Sequence, residues 1–198
     1  MKIATQPFAR TVNAAGFTLI EMMVAGALTT FLMASVITLG MYTSKSFCMM
    51  GNYVDLDSQS RNAVDILGRE IRDASALVAF STNNPAYLQF TNATTGQSIT
   101  VTYHEYNSTL TLARTGQPTR TLLTGCDSWS FSLYDRSPDI TTTNITFYSS
   151  TNNLGQLDPT FCKVVNMTWV CSRKILGSPF NTESVQTAQI VLRNQVNY

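Results

Sequence analysis

Histidine is all but missing from this chain: His104 is the only one in 198 residues. Glu105 follows it, but Ser108 stands where a second histidine would complete an HExxH metal motif. His104 therefore reads as a surface residue. The four cysteines, Cys48, Cys126, Cys162 and Cys171, include no CxxC pair, so the usual spacing of a zinc site is lacking. Neither a GxSxG turn nor a glycine-rich phosphate loop occurs. Asp55 with Asp57, and Asp135 with Asp139, have the composition of loop calcium ligands. Neither run follows the EF-hand pattern, and solvation accounts for both. No catalytic residue, cofactor or metal is expected, and the chain does not read as an enzyme.

Charge is scarce too. Asp, Glu, Lys and Arg make up 13% of the chain, against roughly 25% in a typical soluble domain. Ser, Thr and Asn take their place, a surface suited to an extracytoplasmic β domain. They also form sequons at Asn92, Asn107, Asn144 and Asn166, which matter only in a glycosylating host. The first sixteen residues carry Lys2 and Arg10 and no acid. Removing these two from 13 basic residues leaves 11 against 12 acidic, too even a balance for a bulk electrostatic nucleic-acid binder. Proline is missing between residues 17 and 79, and no charge interrupts the 20 residues 22–41. About 20 apolar residues suffice for a helix to cross a bilayer. Lys2 and Arg10 precede that span and are expected to stay cytoplasmic by the positive-inside tendency. The body of the protein would then lie outside the cytoplasm, where cysteines can form disulfides.

One carboxylate, Glu21, sits at the entry to the apolar run. A charge in or near lipid costs on the order of 3 kcal/mol unless it finds a cation. No basic residue lies between Arg10 and Lys45. A cut after Gly16 would create a partner, the α-amine of Phe17, four residues from Glu21 and on the same face of a helix. The helix dipole also favours a carboxylate at this end. An ordinary secretory signal is instead cut behind its apolar core, at small residues. Gly16-Phe17-Thr18-Leu19-Ile20-Glu21, followed by an uncharged helix, resembles the processing and methylation site of type IV prepilins and type II secretion pseudopilins. The resemblance implies cleavage after Gly16 by a prepilin peptidase that also N-methylates Phe17. It implies that Glu21 pairs with a Phe17 amine as subunits assemble.

The helical pattern continues to about residue 79. Val64, Leu67, Ile71, Ala74 and Val78 form an apolar seam, while Arg61, Asp65, Arg69 and Asp73 step by four on another face. A helix of about 60 residues would be roughly 90 Å long, too long for one small domain to bury. Asn83-Asn84-Pro85 is expected to end it. Thereafter the period is two. Strands are expected at residues 87–90, 99–104, 110–114, 128–133, 144–148, 163–174 and 185–193. Turns are expected at Asn107-Ser108 and Gly116-Gln117-Pro118, and loops at 141–143 and 149–155. The fold class is α+β, an antiparallel sheet laid on the helix seam. Its expected parts are a leader at 1–16, a transmembrane half-helix at 17–42, an amphipathic half at 43–79 and a β-rich domain at 80–198. Were residues 163–174 one strand, Cys162 and Cys171 would stand about 30 Å apart, beyond disulfide reach. Antiparallel pairing with the strand that Cys126 opens would bring Cys126 nearest to Cys171. That pair is the favoured disulfide, leaving Cys48 free or reached by Cys162 on a descending loop.

This order of elements also resembles the W-type minor pilins and J-type minor pseudopilins, through residues 110–114, 122–125 leading into 129–135, and 185–194. The resemblance implies a pilin-like structural subunit, anchored by one span in a bacterial inner membrane and then drawn into a pilus or pseudopilus. Its implied partners are other pilin subunits, the prepilin peptidase, an inner-membrane assembly platform and, before assembly, the lipid bilayer. A filament-tip adhesin or DNA-uptake subunit is the alternative. Clustering of Arg114, Arg120, Arg136, Arg173 and Lys174 on one face would favour it.

Overall fold

A computed structural model describes residues 16–136, 147–150, 156–175 and 181–193. Residues 1–15, which hold most of the expected leader, lie outside them, as do Asp139, Asn144 and the loop residues 141–143 and 151–155.

Helix α1 runs from Leu19–Arg72, 54 residues without a proline. Its entry is a capping box. Thr18 at the N-cap gives its carbonyl to the Met22 N–H at 3.3 Å. Its hydroxyl accepts from the Glu21 N–H at 3.3 Å. Arg69 and Arg72 in the last turn complement the negative end of the dipole. None of the helix is buried before Leu56, whereas Leu56, Ser60, Ala63, Leu67 and Ile71 are buried at the period of an amphipathic helix.

The helix stops seven residues short of the expected end. Residues 74–81, including the expected seam members Ala74 and Val78, form strand β1 (Ala74–Ser81) instead. Asn83-Asn84-Pro85 therefore connects two strands rather than ending the helix. The sheet count also differs from the single sheet expected. β1, β2 (Ala86–Asn92), β3 (Ser98–His104), β4 (Thr109–Arg114) and β5 (Arg120–Thr124) make a five-stranded antiparallel meander in chain order. The second sheet has the order β7-β6-β8-β9, from β6 (Cys126–Arg136), β7 (Phe147–Ser149), β8 (Val164–Lys174) and β9 (Asn181–Val191). β1 and β5 are the strands that periodicity missed. The turns fall where expected, Ser108 and Gly116 taking positive φ of 49° and 79°.

Gly125 is the one residue between the two sheets, with φ of 65°. Its carbonyl accepts from the Ser172 N–H at 2.8 Å. A Cβ at this position would lie 2.7 Å from the Ser172 carbonyl oxygen, so both the backbone conformation and the close approach require glycine.

Residues from 45 onward form one compact unit, and the residues up to 44 another. Within the larger unit the second half of α1 is tied to both sheets. Trp169 of β8, fully buried, donates its indole N–H to the Ser60 hydroxyl at 3.3 Å. Arg114 of β4 clasps Glu70 with Nε on Oε2 at 3.2 Å and Nη2 on Oε1. Thr124 of β5 donates to Gln59 at 3.2 Å. The buried helix residues Leu56, Ala63, Leu67 and Ile71 share one apolar cluster with residues of both sheets: Leu88, Phe90 and Val101 from the first, Leu133, Val165 and Met167 from the second. Burying such a side chain contributes roughly 1.5–3 kcal/mol.

Candidate processing and assembly site

Gly16 and Phe17 precede the helix, outside any regular element, and both are exposed, Phe17 by 82%. A Cβ added to Gly16 would meet nothing within 4 Å. An irregular, accessible segment of this kind is what a peptidase needs in order to bind the backbone.

Glu21 has a different neighbour in the uncut chain from the one its spacing suggested. Because the helix begins at Leu19, Phe17 does not share a helical face with Glu21. The carboxylate instead receives the Thr18 backbone N–H and the Thr18 hydroxyl, both at 2.9 Å and both on Oε2. Thr18 was not singled out from the sequence, although Thr-x-x-Glu ahead of an apolar run is a readable capping signature. Among the described residues, no ion pair to Glu21 occurs within 4 Å.

Behind this entry the apolar run presents only exposed side chains. Its hydroxyls turn inward. Thr29, Ser35, Thr38 and Thr43 donate to the carbonyl four residues back, and Thr30 to the one three back, at 2.7–3.0 Å. Five polar groups are thereby satisfied within the helix itself.

The cysteines sort by position. Cys126 and Cys171 face each other across β6 and β8, both buried and both thiols. Interaction with the Cys171 thiol pushes the Cys126 pKa up, with burial adding to it, and the Cys126 Sγ–H donates to the Ser128 carbonyl at 3.3 Å. β8 is continuous from Val164 to Lys174, so no turn at Asn166 brings Cys162 to Cys171. Cys162 lies just ahead of β8, where burial pushes its thiol up to about 12. Cys48 is exposed on the helix.

Two of the arginines of the proposed binding face, Arg114 and Arg120, line one cleft. Arg114 is committed to Glu70, and Arg173 to Asp55 at 3.3 Å and to Thr124. Arg120 belongs to the five-stranded sheet, while Arg136, Arg173 and Lys174 belong to strands of the other. His104 is exposed at the end of β3. Asp55 and Asp57 are taken up by Arg173 and Arg61. Two open clefts, of about 450 and 420 Å³, are lined by residues 65, 69, 72, 73 and 193 and by residues 112, 114 and 117–120. Among the described residues that line them there is no histidine, cysteine or serine. Compared with known proteins, the chain matches no family model, no curated protein and no solved structure.

Proposed function

We propose that this chain is a structural subunit, of the minor-pilin kind, of a type IV pilus-like filament. In this reading it is cleaved after Gly16, N-methylated on Phe17, held by its apolar helix in the inner membrane, and then packed against other subunits through that helix. The observation that carries the reading is the join of two features. A Gly-Phe-Thr-Leu-Ile-Glu stretch lies exposed across the start of a helix whose residues from Leu19 through Asp55 include none that is buried. That much uncovered apolar surface needs lipid or protein around it. A J-type minor pseudopilin would be processed and assembled through the same residues.

The capping box is compatible with the assembly role given to Glu21. Both Thr18 bonds fall on Oε2, so capping occupies one oxygen and leaves Oε1 to accept from the methylated amine of a neighbouring subunit. An unpaired charge buried there would cost several kcal/mol.

N-terminal sequencing or intact mass of the membrane-extracted protein, from a host that has the peptidase, tests the reading. The expected chain begins at N-methyl-Phe17. Retention of Met1 would overturn it. Gly16→Ala should still be cut and Gly16→Leu should not. Since the chain offers no steric obstacle at Gly16, that difference reports on the peptidase.

A further inference from the structure

The cleft of about 420 Å³ lies beside the turn that joins β4 to β5 and is lined by Leu112, Arg114, Gln117, Pro118, Thr119 and Arg120. Leu112 and Arg120 are partners across the two strands. Arg114, two residues beyond Leu112, projects from the same face of the sheet. Two guanidiniums are thereby brought to one opening.

One of them is held in place from two sides. Arg114 directs Nε and Nη2 to Glu70, and Nη1 to the Gln117 Oε1 at 3.1 Å. The turn that returns Gln117 to it passes through Gly116, with φ of 79°, and is closed by the Gln117 N–H on the Arg114 carbonyl at 3.1 Å. A guanidinium has N–H donors beyond those, so Arg114 keeps some for a ligand. Gln117 has its oxygen engaged and its NH2 group to offer. Arg120 is exposed, and among the described residues no ion pair to it occurs within 4 Å. The lining is thus rich in donors, with the one nearby carboxylate, Glu70, already taken by Arg114. That calls for an oxyanion.

Charge selects the kind of oxyanion. Arg114 and Arg120 bring two positive charges and Glu70 cancels one, leaving a single charge. A carboxylate matches it, whereas a phosphate dianion or a polyanion exceeds it. Size selects the rest. Small-molecule pockets run from about 300 to 1,000 Å³, so this cleft suits one ring rather than a chain. Leu112 and Pro118 give such a ring an apolar patch, and Thr119 adds a hydroxyl.

We propose that the cleft binds a sugar acid, its carboxylate held by Arg120 and the spare donors of Arg114, its hydroxyls by Gln117 and Thr119. This gives the β domain a ligand-binding function that does not rest on the filament-subunit reading.

Saturation-transfer NMR of the full-length chain in lipid nanodiscs tests it, with glucuronate as the probe. Glucuronate should saturate with a dissociation constant in the millimolar range. Glucose, the ring without the carboxylate, and acetate, the carboxylate without the ring, should each bind about tenfold more weakly. Arg120→Gln should lower glucuronate affinity about tenfold with the melting temperature unmoved, and Arg120→Lys should recover only part, because an ammonium lacks the planar fork. Glu70→Gln leaves two charges in the cleft, so inorganic phosphate should displace glucuronate from that variant more readily than from the unmodified chain. Absence of saturation by glucuronate, or affinity unchanged in Arg120→Gln, would overturn the site. Glucose, acetate or phosphate binding the unmodified chain as tightly as glucuronate would overturn the ligand class.

Discussion

One helix here obeys two opposite rules. Up to residue 55 no side chain of α1 is buried, and from Leu56 to Ile71 every turn buries at least one. The backbone is the same throughout; what changes is the side-chain pattern. In the first part apolar residues occupy every direction, so no single face can be satisfied by a small domain. In the second, apolar residues keep to one face, with Ser60 and Glu70 supplying polar contacts to Trp169 and Arg114. Helical structure alone thus says little about how a segment is stabilised. The partner required, lipid and neighbours or the chain's own sheets, is set by how the apolar residues are distributed around the axis.

The halves should fail separately. Glu21→Ala is expected to have the largest consequence: cleavage and membrane residence unchanged, domain melting unchanged, and incorporation into sheared filaments lost, as read by immunoblot. Normal incorporation would remove the assembly role from the carboxylate. Trp169→Ala breaks the other half. The indole is fully buried and bonded to Ser60, and its truncation should cost about 3–5 kcal/mol, seen as a lowered denaturant midpoint with membrane insertion intact.

Oxidation of the Cys126–Cys171 pair sharpens the contrast from the sheet beneath the buried half. The thiols are cross-strand neighbours, and a thiol oxidant that takes up two protons and two electrons would join them. Closing that loop should contribute about 2–4 kcal/mol. Non-reducing peptide mapping identifies the bond, and a melting temperature unmoved by reductant would count against it. Glu70→Gln should have the smallest effect, about 1–2 kcal/mol. The paired side chains are 11% and 36% exposed, so solvent screens part of what a buried pair would lose. Unfolding of the Gln variant should leave cleavage at Gly16 untouched.

What could be read in advance follows the same division. The exposed half was legible because its signal is local, an uncharged run; at the entry the helix starts at Leu19, too late for Phe17 and Glu21 to share a face, and the Thr18 cap on Glu21 was missed. The end of the helix was not legible either. Leu67, Ile71 and Ala74 continue a spacing of four and three into β1, and β1 itself hides its period. Register irregularities between Ala74 and Ala76 and between Leu77 and Ala79 leave its two buried residues, Ala74 and Leu77, three apart as in a helix. β6 and β8 were readable because their alternation is regular, and with them the apposition of Cys126 and Cys171. Glu70 with Arg114 joins residues 44 positions apart, and nothing near either one announces the other.

The hydroxyls folded back along the apolar run also bear on how such a helix could change surroundings. Thr29, Thr30, Ser35, Thr38 and Thr43 each hold a carbonyl of their own helix, so in hydrocarbon they hide their polarity. Against a neighbouring helix each can rotate and bond outward, worth about 0.6 kcal/mol apiece by analogy with interhelical bonds in bilayers. The segment thus carries two wardrobes, one for an oily solvent and one for protein. A run of leucine alone would have only the first.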